Sequence, residues 1–154
     1  MNRIAPLLAE SNIVLDTTAA TKKRLFEQIA QLFEEHAGIP HATVSDSLSA
    51  RERLGSTALG QGIAIPHGRI KGLKEALGAF VRAHEPIPFD APDGRPVSQV
   101  FVLLVPQNAT EEHLQLLSEL AQMFSDKAFR EQLGNANSAA DVHALFNGWH
   151  SDLR

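Results

Sequence analysis

The sequence predicts an α/β fold: a small mixed β-sheet flanked by helices, in a single domain spanning residues 1–154. Three observations carry this: helical periodicity near both ends, apolar runs of strand length in the middle, and Gly/Pro clusters that separate them. In order, residues 12–16 alternate poorly and fit either a short strand or the start of a loop. From Thr21 to His36, Leu25, Ile29, Leu32 and Phe33 fall on one helical face, and Gly38 and Pro40 stop the helix. A second helix is expected from Pro40 to Arg53, with Pro in its tolerated first turn, Gly55 beyond its end, and Val44, Leu48 and Arg51 facing inward. Ile63–Ile65 is a short apolar strand that Pro66 is expected to end. Leu77–Arg82 alternates apolar and small residues, and Val100–Val105 is continuously apolar, the mark of a strand buried on both faces. Between those two, His84–Val97 holds four prolines and the Asp93-Gly94 turn pair, which predicts a loop. Thr110–Phe124 is an amphipathic helix capped by Thr110, with Leu114, Leu117, Ala121 and Phe124 as its stripe and Leu116, Leu120 and Met123 widening it. Short helices at Asp126–Leu133 and Ser138–Phe146 complete the chain.

A chain of 154 residues can bury about two-thirds of its unfolded surface. Its composition, 44% hydrophobic and 21% charged, is that of a folded globular protein and argues against disorder. No apolar run approaches the ~18–20 residues of a membrane span, so no membrane insertion is expected. The first twelve residues carry one Arg and a short apolar patch before Glu10, a poor signal peptide, which predicts a cytoplasmic protein. The absence of cysteine excludes disulfides, thiolate metal sites and a Cys nucleophile. A net charge of −4 argues against nucleic acid as a partner, because phosphate binding wants a basic stripe. The seven histidines are the titratable groups that matter near neutral pH.

The stretch that could do chemistry runs from Arg51 through Gly55-Ser56-Thr57 to Gly60-Gln-Gly-Ile-Ala-Ile-Pro-His67-Gly68. Pro66 fixes its own φ and biases Ile65 to an extended conformation, so His67 is expected at a strand end with little backbone freedom. Gly68 beside it leaves room for a bulky group or an approaching protein. A histidine that takes a phosphoryl group needs a neutral exposed nitrogen, a fixed ring and donors for three oxygens, some of which a Gly-rich turn can supply. Arg51 reads two ways: a side chain snorkelling from the core edge, or a guanidinium that neutralises a phosphoryl dianion. His113 reads as a half-buried helix histidine or as a neutral donor at a site. The helix N-terminus disfavours its imidazolium, while Glu111 and Glu112 pull the other way. His36 ends a helix, His84 starts the Pro-rich loop, and His41, His143 and His150 have no partners at ligand spacing. No compact metal set is present, and neither metal nor cofactor is expected.

The run Arg51-Glu52, Gly55-Ser56-Thr57, Gly60 and Gly62-Ile-Ala-Ile-Pro-His67-Gly68 resembles the phosphotransferase-system IIA domains of the fructose/mannitol type, including the nitrogen-regulatory IIA proteins. Val100–Pro106 and Thr110–Leu117, with His113, resemble the second site segment of that family, and the similarity extends from about residue 4 to 147. The resemblance implies that His67 receives the phosphoryl group from an HPr-like carrier, that His113 and Arg51 assist there, and that a small mixed sheet flanked by helices carries the site. Ala58 departs from the family pattern, which usually reads Gly there; a positive φ would be costly for Ala, so the loop is either ordinary at that point or slightly reshaped.

A chain with this domain only has no IIB cysteine domain and no IIC membrane domain in cis, and its uninterrupted GIAIPHGRI run matches the regulatory members. The expectation is therefore a phosphocarrier whose output is protein binding that depends on phosphorylation state. The alternatives are a sugar-specific IIA component that passes phosphate to a IIB domain, and a non-enzymatic anion-binding interaction module. The last would be expected to lack His67 or Arg51, and both are present.

Overall fold

The apolar run at the middle of the chain forms the central strand of a six-stranded mixed sheet. The computed structural model describes residues 2–109 and 111–150. After a 3-10 turn at Ala5–Leu7, the elements are β1 (Leu8–Thr17), α1 (Lys22–Ala37), α2 (His41–Arg53), β2 (Ala58–Gly60), β3 (Ile63–Ala64), β4 (His67–Ile70), β5 (Leu77–Ile87), β6 (Val97–Pro106), α3 (Glu111–Ser125), α4 (Lys127–Asn135) and α5 (Ala139–Gly148). The sheet order is β1-β5-β6-β3-β2, and β4 also pairs with β6. β5 lies antiparallel to β6, whereas β3 and β4 lie parallel to it and β1 parallel to β5.

Side-chain alternation along β6 divides the core into two layers. Phe101, Leu103 and Val105 face α3, α4 and α5, where they meet Leu116, Leu120, Phe129, Leu133 and Phe146. Val100, Val102 and Leu104 face α1 and α2, where they join Leu25, Ile29, Phe33, Val44 and Leu48. Both faces of the sheet are thus covered, which is why this strand reads as continuously apolar.

The helix ends follow their sequence cues. Thr21 caps α1, its side chain accepting from Arg24 N, and Gly38 ends it at φ 70. Asp126 and Ser138 cap α4 and α5 in the same way. Thr110, the expected cap of α3, lies outside the described residues.

Several expectations are corrected. Residues 12–16 belong to a ten-residue strand, β1, that pairs with β5 through two register shifts; those irregularities blur its alternation. His84 and Pro86 belong to β5, not to a loop, and the loop is confined to the residues between β5 and β6. α3 buries His113, Leu116, Leu120, Met123 and Phe124, while Leu114 is 68% exposed. Its inward stripe is rotated by about one residue from the expected one, because the helix is apolar over a wide arc and the sheet chooses which part of it to cover.

Pro66 does not end the extended segment. Ile63 and Ala64 pair with Gln99 and Val100, and His67 and Gly68 pair with Leu103 and Leu104, the same offset before and after the break. Pro66 has no N–H to give to the ladder, yet its carbonyl still accepts from Leu103 N at 3.0 Å. β3 and β4 are therefore one line along β6, interrupted at the proline, and His67 is the first residue of the second half.

Candidate functional site

Strand alternation along β4 places His67 and Arg69 on the face toward α3, and Gly68 and Ile70 on the face toward α2. The Nδ1–H of His67 donates to the Ile65 carbonyl at 2.8 Å. A carbonyl can only accept, so this bond fixes the ring and the tautomer and leaves the lone pair on Nε2. The ring is part-buried. Its pKa is lowered from 6.5, first by burial and then by the positive charge of Arg51; the bond to Ile65 and the charge of Glu52 act in the opposite sense. The net result is a neutral imidazole with a free nitrogen at neutral pH.

His113, in the first turn of α3, brings its ring to 5.3 Å from that of His67, centroid to centroid and edge-on at 71°. It is 8% exposed, and its Nε2 is buried without a hydrogen-bond partner. An orphaned buried ring nitrogen costs stability unless a partner arrives. Its pKa is lowered too, by burial first and then by the charges of His67 and Arg69. Burial and the helix N-terminus both disfavour the imidazolium, and the net shift is toward a neutral ring despite the neighbouring glutamates.

Arg51 is in the last turn of α2, in the opposite layer. Val44 and Leu48 are buried as the stripe predicts, but Arg51 is half-buried and its Nη1 donates to Gly55 O at 2.9 Å. It is near enough for its charge to act on His67. The next residue anchors the turn that follows. Glu52 accepts from Thr57 N at 3.1 Å, Thr57 Oγ1 at 2.7 Å and Lys22 Nζ at 2.9 Å, and its side chain is only 6% exposed.

Gly68 makes room for the protein itself, not for a visiting group: a Cβ there would overlap Ser47 Oγ and lie 3.1 Å from Ser47 Cβ on α2. In the Gly60–Gly62 turn one backbone donor is already engaged. Gly60, Gln61 and Gly62 all have positive φ, and Gln61 N is taken by Asp93 Oδ2 at 2.9 Å. The N–H groups of Leu54, Gly55, Thr57 and Ala58 are likewise bonded within the chain. Ala58 has an ordinary extended backbone, pairing with Ala64 in β2, so the departure from the family pattern does not force a strained φ. The remaining histidines stay apart. His36 Nδ1 meets Asn12 Oδ1 at 3.0 Å, and His41 lies against Glu34. Among the described residues no helix is long and apolar enough to cross a membrane, and no three His, Asp or Glu side chains are grouped to hold a metal ion.

Sequence reasoning missed Arg69. Its Nη1 donates to Gln107 O at 3.0 Å and to Ala109 O, just before α3. The available cue was its spacing of two from His67 on one strand face.

Residues 6–149 match the family model described as the phosphoenolpyruvate-dependent sugar phosphotransferase system, EIIA 2. The nitrogen regulatory protein of Pseudomonas aeruginosa is 40% identical over 146 residues, 94% of this chain and 95% of that protein. The crystal structure of nitrogen regulatory protein IIA-Ntr from Neisseria meningitidis superposes with a TM-score of 0.87 at 55% identity, covering 92% of this chain and 97% of the other. That of the mannitol IIA of Escherichia coli gives 0.74 at 25% identity, covering 89% and 96%.

Proposed function

The chain belongs to the EIIA 2 family of the phosphoenolpyruvate-dependent sugar phosphotransferase system, and on that premise we propose that it is a cytoplasmic phosphocarrier that accepts a phosphoryl group on His67 from an HPr-like protein and regulates protein targets according to its phosphorylation state. The observation that carries this reading is the pairing of two neutral imidazoles, one with a free Nε2 fixed in direction and the other with a buried nitrogen lacking a partner. The nitrogen-regulatory branch is favoured because proteins of that name are more alike to this chain than the mannitol IIA is.

In the proposed step, the His67 Nε2 lone pair attacks the phosphorus of the donor phosphohistidine. A new N–P bond forms as the donor's N–P bond breaks, and that electron pair returns to the donor imidazole. Positive charge develops on the His67 ring, and the Ile65 carbonyl, accepting from Nδ1–H, stabilises it. His113 donates from Nε2 to a phosphoryl oxygen, and Arg51 balances the dianion from the other side. His113 is catalytic only as the tautomer that protonates Nε2, and arrival of the phosphoryl group satisfies an atom otherwise left unbonded.

Incubation with a phosphorylated HPr-type protein tests this. The expected product is an acid-labile, base-stable adduct on His67, absent from His67→Ala. His113→Ala and Arg51→Ala should transfer roughly ten- to a thousandfold more slowly while staying folded. Labelling that persists in His67→Ala would overturn the assignment, and no labelling of the native chain would favour a non-enzymatic anion-binding module.

A further inference from the structure

We propose that Arg69 is a positioning residue for phosphoryl transfer, holding the loop before α3 so that His113 stands against His67. The inference rests on the reading of His67 as acceptor and His113 as donor. Arg69 is two residues from His67 on the same face of β4, and its guanidinium donates from one nitrogen to the carbonyls of Gln107 and Ala109. Ala109 N closes a turn back to Pro106 O at 3.0 Å, so this loop runs directly from the end of β6 toward α3. Two carbonyls tied to one guanidinium remove much of the loop's freedom to pivot, and His113 follows in the first helical turn. The main chain of Arg69 does a second job: its carbonyl accepts from Ser47 Oγ at 3.0 Å on α2, the helix whose last turn holds Arg51. One residue beside His67 thus ties in both elements that bring the other two side chains.

The charge of Arg69 supports the same role, since it opposes protonation of His113. The groups acting on His113 from the packed elements are His67 and Arg69 on β4, and Glu111 and Glu112 flank it on its own helix. Arg69 is itself exposed, so its replacement does not open the core. Reacting groups misplaced by about 1 Å can lose on the order of a hundredfold in rate, and a loop freed at one anchor should lose about tenfold or more.

The experiment is single-turnover transfer from a phosphorylated HPr-type protein, at saturating and at subsaturating donor, for the native chain, Arg69→Gln, Arg69→Lys, His113→Ala and the Arg69→Gln/His113→Ala double variant. Arg69→Gln should lower the saturating rate about tenfold or more, and Arg69→Lys should recover part of it. In the His113→Ala background, Arg69→Gln should cost little further, because the residue acts through His113. NMR titration should show the His113 pKa rising in Arg69→Gln. A loss seen only at subsaturating donor would make Arg69 a docking residue, and full additivity with His113→Ala would also overturn the proposal. If His113→Ala itself leaves transfer unchanged, the reading of His113 fails instead, separately from the placement of Arg69.

Discussion

At the scale of single residues, the proposed chemistry depends on keeping two imidazoles neutral while one of them stays reachable. His67 achieves this by part burial and by a carbonyl bond that fixes which nitrogen is free. Because its folded pKa lies below 6.5, transfer should persist to pH values under 6.5 and fall only when the lowered pKa is crossed; a pH–rate profile at saturating donor checks this. The same shifts bear on stability. Between the folded and unfolded pKa values of His67 and His113 the unfolded chain binds more protons, so stability rises with pH there. It is present above about pH 6.5, the ordinary histidine value, and is lost as pH falls through the depressed values. Denaturant midpoints between pH 5 and 7 should therefore fall toward acid in the native chain, and more gently in His113→Gln. Removing the positive charge with Arg51→Met should move the His67 pKa upward, visible as a shifted imidazole titration by NMR.

Between elements, α2 packs tightly against β4 at Gly68. Gly68 is required there because the helix backbone and Ser47 fill the space a side chain would take. Gly68→Ala should destabilise by about 1–3 kcal/mol, as overpacking of a tight contact does. The loss should shrink in a Gly68→Ala/Ser47→Gly background, once the helix propensity cost of the new glycine is subtracted; equal losses in both backgrounds would show that Ser47 is not the obstacle. A second junction holds α4. Arg82 on β5 donates to Leu133 O, Gly134 O and Ala136 O at 3.1, 3.3 and 2.7 Å, carbonyls at and just beyond the C-terminus of α4. These bonds fix the outer helical layer to the sheet that also carries His67.

On the scale of the whole molecule, the His67–His113 pair lies beside a well-packed core. Phe146 of α5 meets Phe80, Phe101 and Phe129 at centroid distances of 5.6, 5.5 and 5.1 Å, so the layer under α3 is a packed aromatic cluster. Phe146→Ala should cost about 3–5 kcal/mol and lower the Tm markedly. Phosphorylation adds about −1.5 to −2 charges if it resembles other phosphorylated side chains, to a chain already at −4. With both faces of the sheet covered, that charge should act on docking partners without refolding the domain. Pull-downs with the native chain, His67→Ala and His67→Glu should recover different partner sets; identical sets would show that phosphorylation does not gate binding and would favour a sugar-specific IIA role.

The sequence by itself determined the helices with clear stripes and caps, the buried central strand, the absence of thiol chemistry, and His67 as the centre of interest, because periodicity, capping and Pro-His-Gly punctuation are local facts. It also carried the family pattern that pointed to Arg51 and His113. Tertiary structure alone decided the rest. The face α3 buries could not be read, since its apolar arc is wider than the face it buries. Nor could the continuity of β3 and β4 through Pro66, because β6 imposes that register from outside the segment. The purpose of Gly68, the neutral state of His113 and the clamp made by Arg69 all depend on atoms brought together from distant parts of the chain. Such contacts leave no period in a sequence: burial and charge at a point are sums over neighbours that only folding supplies.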